Sequence, residues 1–296
     1  MVGGDDERVR GVIRLKRCKR DSLGVSTVVT GIFIMTAALM AATGYMIVAG
    51  KNYGLKEEMT HQAAMEETAL RIAGAIDTLT LRGEEGDMIS FPVRLGTWGR
   101  ATTATSRAVG GITFNPGETT TEIFLDNVNY ALAKGSLKLS AEYNYASPIS
   151  YYYTCGGVFY KDQHGVGVVK QPTWRVEHEG NRTWLTLQMV TLTGDFQKEE
   201  GYSTASIRLV LHSKQEMLLP GGYVKILANN SFGRLGLLGL KSMAETSGMK
   251  ETSPSNNSGP DEFHFMEGTD RGEMHFPHVD GIRITLTVIE VELRRL

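Results

Sequence analysis

The sequence predicts an α+β protein in which one long N-terminal helix packs on a mainly antiparallel, sandwich-like β domain. No charged residue occurs between Asp21 and Lys51. Apolar residues then recur at helical spacing to about position 81, and from about Met88 period-two alternation with frequent glycine replaces that spacing. These changes divide the chain into a basic leader (1–24), a transmembrane helix (25–50), a helical stalk (51–82) and a β-rich domain (83–296).

The uncharged run is long enough to cross a membrane, since a helix needs roughly 20 apolar residues for this. Basic residues before it far outnumber those just after it, which are Lys51 and Lys56. The preceding ones are Arg8, Arg10, Arg14, Lys16, Arg17, Lys19 and Arg20. This asymmetry predicts a cytoplasmic N-terminus and an exported C-terminal domain. A secretory signal cleaved near Ala42 or Gly44 is the alternative, although the run exceeds the usual apolar core of such signals.

The stalk contains one apolar stripe with three- and four-residue spacing. Its members are Leu55, Met59, Ala63, Ala69, Ile72, Ala73, Ile76 and Leu79. The charged residues Glu57, Glu58, Glu66, Glu67 and Arg71 fall mostly off this stripe. Because an amphipathic helix needs a partner surface, we expect Ile72, Ile76 and Leu79 to pack against the sheet. Arg82 followed by Gly83 predicts the end of the helix.

The N-terminal region resembles the archaeal type IV pilins and their relatives. The similarity rests on a basic stretch, Gly24, and the unbroken apolar segment VSTVVTGIFIMTAALMAA that begins at Val25. In that family a prepilin-type peptidase cuts before the apolar helix, so the resemblance implies cleavage between Gly24 and Val25 and assembly with copies of the chain or other pilin-like subunits. Leu23 and Thr27 depart from the family pattern, which usually has a polar residue and a proline there. A second patch, between Tyr153 and Asp195, resembles archaeal surface proteins with a pilin-like N-terminus and no assigned enzymatic activity.

The β domain contains many short predicted strands separated by turns. They are Ile89–Leu95, Thr121–Leu125, Ser136–Tyr143, Ser150–Tyr153, Gly157–Tyr160, Val166–Lys170, Trp174–His178, Thr183–Leu192, Ala205–His212 and Ile282–Leu293. The apolar phase of the last strand slips between Val288 and Ile289, which predicts a β-bulge. Between Lys214 and Met249 we expect mixed structure with a short helix at 237–245, and 249–261 reads as a mobile polar loop.

Composition and motifs give little reason to propose catalysis or nucleic-acid binding. The net charge is -2, and no Gly-x-Ser-x-Gly, His-Glu-x-x-His or phosphate-loop motif occurs. Cys18 and Cys155 would lie on opposite sides of the membrane and cannot pair, so Cys155 is expected to be a small buried residue. A late acidic and histidine-rich segment reads as an ordinary polar loop without a metal, because Pro277 interrupts any helix. Its polar residues are His264, Glu267, Asp270, Glu273, His275, His278 and Asp280.

Asn181, Asn229 and Asn256 begin Asn-x-Ser/Thr triplets in the predicted exported part and are candidate N-glycosylation sites. Three hypotheses about function follow. The first is a non-enzymatic, pilin-like envelope protein without a cofactor, whose partners are the lipid bilayer, the peptidase and other subunits. The second is a permanent single-span surface protein that never polymerises. The third is a membrane-tethered hydrolase that uses the late acidic and histidine-rich segment.

Overall fold

The computed structural model describes residues 7–98, 107–179, 182–253, 262–268 and 271–296. Its first element is the helix α1, Glu7–Arg82. The N–H of Gly83 donates to the carbonyl of Leu79 at 2.9 Å, and the helix ends there as predicted. No proline precedes Pro92, so no residue of α1 lacks the N–H that the helical hydrogen bonds require. The chain divides into two compact units, and α1 contributes to both, with the boundary between Gly54 and Leu55.

A large, mostly antiparallel β sheet follows, so the α+β class is confirmed. Its strands are β1 (Met88–Arg94), β2 (Thr97–Trp98), β3 (Arg107–Leu125), β4 (Val128–Glu142), β5 (Ile149–Thr154), β6 (Gly157–Asp162), β7 (Gly165–Lys170), β8 (Trp174–Glu179), β9 (Arg182–Thr193), β10 (Gln197–Gly201), β11 (Thr204–Ala228), β12 (Lys250–Glu251), β13 (Glu262–Glu267) and β14 (Gly272–Arg295). One further helix, α2 (Ser231–Thr246), lies between β11 and β12.

The long strands β11 and β14 pair with each other, and the sheet extends on both sides of this pair. From it the strands run through β3, β4, β5 and β6 to β7 at one end, and through β13 to β12 at the other. Strand β1 also pairs with β11, and β9 joins β14 to β8. Within the described residues only the β9–β14 and β12–β13 pairs are parallel. Long strands that change partners along their length thus connect all parts of the β domain.

Two clusters of buried apolar side chains stabilise the compact unit that contains the sheet. The first combines α1 residues from Met65 to Leu79 with strand residues such as Phe114, Leu139 and Leu209. The second gathers α2 residues such as Leu237 with Trp174, Leu187 and Phe276. Ile72, Ile76 and Leu79 are buried in the first cluster, whereas Met59 of the predicted stripe is 58% exposed.

Most predicted strands are present, but the end of one strand, the start of the short helix and the strand that carries the bulge differ from the prediction. Strand β11 does not stop at His212; it continues to Ala228. The helix near 237–245 is longer and begins at Ser231, because the Asn230 side chain caps it by accepting from the N–H of Gly233 at 2.8 Å. The register does slip opposite Val288 and Ile289, but the extra residue is His212 on β11.

The late polar segment is not a loop, contrary to the sequence prediction. Strands β13 and β14 form an antiparallel hairpin in which His264 lies opposite His275. Pro277 is tolerated because the ladder between β11 and β14 is irregular between Phe276 and Val279, so a missing N–H disrupts no regular pair. Of the predicted mobile loop 249–261, residues 254–261 lie outside the described part, and Lys250–Glu251 form β12.

Candidate functional site

The N-terminal part of α1 presents an apolar surface that nothing within its own unit covers. Every residue from Ser26 to Ile47 is exposed, including Phe33 at 71% and Ile47 at 68%. An 18-residue window of this helix has a mean hydropathy of 2.0, and none of that window is buried. By length and composition the helix could span a membrane, and a signal sequence would pass the same test.

Hydroxyl groups in this apolar segment bond back to the helix that carries them. The side chains of Thr30, Thr36 and Thr43 donate to the carbonyls of Ser26, Ile32 and Leu39 at 2.7–2.8 Å. A threonine that bonds to the carbonyl four residues earlier needs no partner outside the helix. These three hydroxyls are therefore compatible with hydrocarbon surroundings, where an unsatisfied polar group is costly.

In the second unit, α1 carries a buried carboxylate. Glu58 is 0% exposed, and its two oxygens accept the backbone N–H groups of Asn144, Tyr145 and Ala146 at 2.8–3.1 Å. These three residues belong to the connection between β4 and β5. Hydrogen bonds to an ionised acceptor are about twice as strong as neutral ones, so Glu58 fastens this connection to the helix.

One turn further along α1, His61 is only 4% exposed and its Nδ1 lies 3.1 Å from the hydroxyl of Tyr143. Burial lowers the pKa of His61 below its ordinary value of 6.5, and hydrogen bonding to the Leu95 backbone opposes this only in part. Burial and the nearby Glu58 carboxylate raise the pKa of Tyr143. Both groups are therefore neutral at neutral pH.

The lowered pKa of His61 gives the protein a pH-dependent stability. Because the folded-state pKa lies below the unfolded-state value, the unfolded chain binds more protons as the pH falls. Stability is fully present above pH 6.5 and declines as the pH drops toward the folded-state pKa. We expect urea unfolding to show a loss of up to about 1.4 kcal/mol per pH unit from His61 in that window.

The matched variant for this measurement is His61→Gln, which keeps polar atoms but does not titrate. Between about pH 7.5 and about pH 5 the wild type should lose more stability than this variant. His275, whose pKa burial also lowers, contributes equally to both proteins and cancels in the comparison. Parallel losses in the two proteins would exclude His61 as a source of the pH dependence.

Further polar contacts join the stalk to the sheet at positions of α1 that are C-terminal to His61. The Tyr151 hydroxyl donates to Glu66 at 3.3 Å, and Lys170 of β7 forms an ion pair with Asp77. The Arg71 guanidinium lies 5.3 Å from the centre of the Phe91 ring. Burial and the Glu66 carboxylate raise the pKa of Tyr151, so its hydroxyl remains a donor. Between Glu58 and Asp77 the helix is thus held by directional bonds as well as by apolar packing.

The late histidine segment forms a hydrogen-bonded network on the sheet surface. Both ring nitrogens of His275 are engaged, with the hydroxyl of Tyr223 and with Glu273 at 3.2 Å. Glu273 also pairs with Lys225 at 2.9 Å. The described residues contain no group of three or more His, Cys, Asp or Glu side chains that could hold a metal. Asp270 lies outside those residues.

The other candidate residues are placed as follows. Gly24 and Val25 lie within α1. The side-chain amide of Asn229 is half-buried and donates to Glu122 at 2.7 Å. Asn181 and Asn256 lie outside the described residues. Cys155 is buried, as predicted, and burial raises the pKa of its thiol.

Comparison with known proteins adds no relative to these observations. No protein-family model matches the chain, and neither the curated proteins nor the solved structures contain a significant match.

Proposed function

We propose that this chain is a pilin-like cell-envelope protein that is anchored by its N-terminal helix and presents the β-rich domain outside the cell. The observation that carries the proposal is the uncharged helical surface from Ser26 to Ile47, whose side chains are exposed throughout. Such a surface is unfavourable in water, at roughly 25 cal/mol for each Å² of apolar area. Lipid, or the same helix in neighbouring subunits, would cover it.

The orientation and the processing rest on the sequence around that helix. The basic residues from Arg8 to Arg20 favour a cytoplasmic N-terminus. The resemblance to archaeal type IV pilins favours cleavage between Gly24 and Val25, which would release the charged leader and leave the apolar helix at the new N-terminus. The helix would then leave the bilayer and pack among copies of itself, as a minor or accessory filament subunit.

The β domain would act as the part of the protein that faces the surroundings. We propose that its strands form a sandwich-like body on which the stalk is docked. Two separate clusters of buried side chains support this, because one combines strand residues with α1 and the other combines strand residues with α2. The Glu58, Glu66 and Asp77 contacts support a fixed stalk, because each joins α1 to a different part of the β domain. On this reading the chain is an adhesive or spacer subunit and not an enzyme.

The mature N-terminus tests the proposal most directly. We expect mass spectrometry of the protein from its native membrane to find Val25 as the first residue, with the apolar helix retained. An intact Met1 end would instead favour a permanently anchored single-span protein that never polymerises. A start after Gly44 would identify the helix as a secretory signal and would refute both forms of the proposal.

A further inference from the structure

Four adjacent strands, in the order β8, β9, β14 and β11, share a face that is open to solvent. Strand β9 pairs with β8 and with β14, and β14 pairs with β11. Residues on the opposite face of these strands, such as Val176, Leu185 and Ile282, are buried in the second apolar cluster. Because side chains alternate between the two faces of a strand, the residues between them point away from that cluster. These residues form what we call the open face.

The pairing register places the residues of the open face in two rows across the four strands. The first row is Glu177, Trp184, Gly281 and Pro220, and the second is Arg175, Thr186, Arg283 and Leu218. Thr186 is half-buried and Gly281 is buried, whereas the other six residues are exposed. Neighbouring strands lie about 4.8 Å apart, so each row is roughly 14 Å long. The open face is thus wide enough for more than one ring of a ligand.

The indole ring of Trp184 lies flat on Gly281. A β-carbon at Gly281 would come within 2.3, 2.7 and 2.9 Å of three adjacent carbons of the six-membered ring. A point beyond the rim of the ring would lie much farther from the second and third of these carbons than from the first, so the β-carbon position lies over the ring face. One face of the indole therefore covers the glycine. Since Trp184 is 37% exposed, its opposite face is available to a ligand.

Charged groups of both signs flank this ring. Glu177 is the neighbour of Trp184 in the same row, and Arg175 and Arg283 lie in the next row. Among the described residues, none of these three side chains has a hydrogen-bond or ion-pair partner. A guanidinium group only donates hydrogen bonds and a carboxylate only accepts them. The open face therefore suits a ligand whose polar groups both donate and accept.

A carbohydrate has the chemistry that matches this arrangement. The C–H groups on the face of a pyranose ring carry a partial positive charge, and the face of an aromatic ring is negative. Sugar hydroxyls donate and accept, so neighbouring hydroxyls can use Glu177 and the two arginines at once. A single-stranded nucleic acid can also stack on an indole, but its phosphates would be repelled by Glu177.

We propose that the open face binds an oligosaccharide that belongs to another molecule. One pyranose ring stacks on Trp184, and hydroxyls of the same or the next ring bond to Arg175, Glu177 and Arg283. All of these residues lie in the compact unit that contains the β domain. The binding therefore depends neither on membrane anchoring nor on cleavage at Gly24, and its failure would leave those proposals untouched.

Saturation-transfer NMR tests the proposal with the full-length protein, produced without glycosylation and held in lipid nanodiscs. The probes are cellotriose, chitotriose, maltotriose and mannotriose, which do not partition into lipid. We expect at least one of them to bind with a Kd in or below the millimolar range, and empty nanodiscs to give no signal. Saturation should be greatest at the C–H protons of one sugar ring, because that ring lies against the indole.

Replacing Trp184 by alanine should weaken the bound probe by at least about fivefold, because the stacking contact is lost. Tyr145→Ala is the matched control, since Tyr145 is also 37% exposed but lies outside the two rows. Its affinity should equal that of the wild type.

Replacing Gly281 by alanine tests the stacking geometry while the indole is kept. The added β-carbon would displace the Trp184 ring from the glycine, so we expect weaker binding and a changed saturation pattern. Gly74→Ala is the control, because a β-carbon there meets nothing within 4 Å. If Gly281→Ala fails to fold, Trp184→Phe replaces it, and its smaller ring should give a loss between those of the wild type and Trp184→Ala.

Three results would overturn the proposal. The first is that none of the four trisaccharides binds, and the second is that Trp184→Ala and Tyr145→Ala bind the probe equally well. The third is that another occupant depends on Trp184: oligothymidine that binds more tightly than every trisaccharide, or self-association that Trp184→Ala abolishes. Oligothymidine would identify a nucleic-acid site, and self-association would identify a contact between copies of this chain.

Discussion

Replacing Glu58 by alanine is expected to lower the free energy of unfolding by about 3–5 kcal/mol. The substitution removes the acceptor of three backbone N–H groups, those of Asn144, Tyr145 and Ala146. A buried donor without a partner costs about 1–3 kcal/mol, and water entering the space left by the side chain would recover part of that. Urea unfolding of a protein comprising residues 51–296, followed by circular dichroism, would measure the loss.

Two variants serve as controls for that experiment. Glu67→Ala removes an exposed carboxylate from the same helix and should change stability by no more than about 0.5 kcal/mol. Glu58→Gln keeps one acceptor oxygen but turns an amide group toward backbone donors, so we expect an intermediate loss. If Glu58→Ala behaved like Glu67→Ala, the carboxylate would contribute nothing to the attachment of the β4–β5 connection.

The sequence predicted the long helix well because its signals are local. Uncharged composition, helical spacing and the Arg82–Gly83 ending are all read within a few residues of one another, and α1 ends at the predicted residue. Even so, the buried face was partly misassigned. Met59 and Ala63, which were placed on the apolar stripe, are exposed, whereas Glu58 and His61 are buried.

The spacing of the buried residues contained the missing signal. Counting back from Leu79 in steps of three and four gives Ile76, Ile72, Ala69 and Met65, and the next two steps reach His61 and Glu58. The prediction chose Met59 and Ala63 because they are apolar. Glu58 is buried through backbone groups of a connection 86 to 88 residues further along the chain, and nothing local in the sequence specifies that contact.

The strands of the β domain show the same division between local and distant information. Period-two alternation located most of them, but pairing partners such as β9 and β14 are brought together by tertiary packing alone. The late histidine segment was misread because Pro277 normally interrupts regular structure. Its neighbours nevertheless pair on both sides of an irregularity, which the sequence does not reveal without the partner strand.

Replacing Ile76 by alanine should destabilise the compact unit that contains the β domain by about 2–5 kcal/mol. Ile76 is 0% exposed and belongs to the cluster that combines α1 with strand residues such as Leu209. The loss comprises the transfer energy of the removed carbons and the cavity that remains because a packed core relaxes only in part.

Thermal and urea unfolding of residues 51–296 would measure this loss, with Leu70→Ala as the matched control. Leu70 lies on the same helix but is 40% exposed, so its truncation should cost much less than that of Ile76. In the full-length chain, Phe33→Ala should leave the unfolding of the β domain unchanged, because Phe33 is 71% exposed and belongs to the other unit. Its effect should appear in membrane retention or assembly. If Ile76→Ala unfolded at the same temperature as the parent protein, the stalk would not be docked on the sheet. The proposal of an anchored helix that carries a fixed β-rich domain would then be wrong.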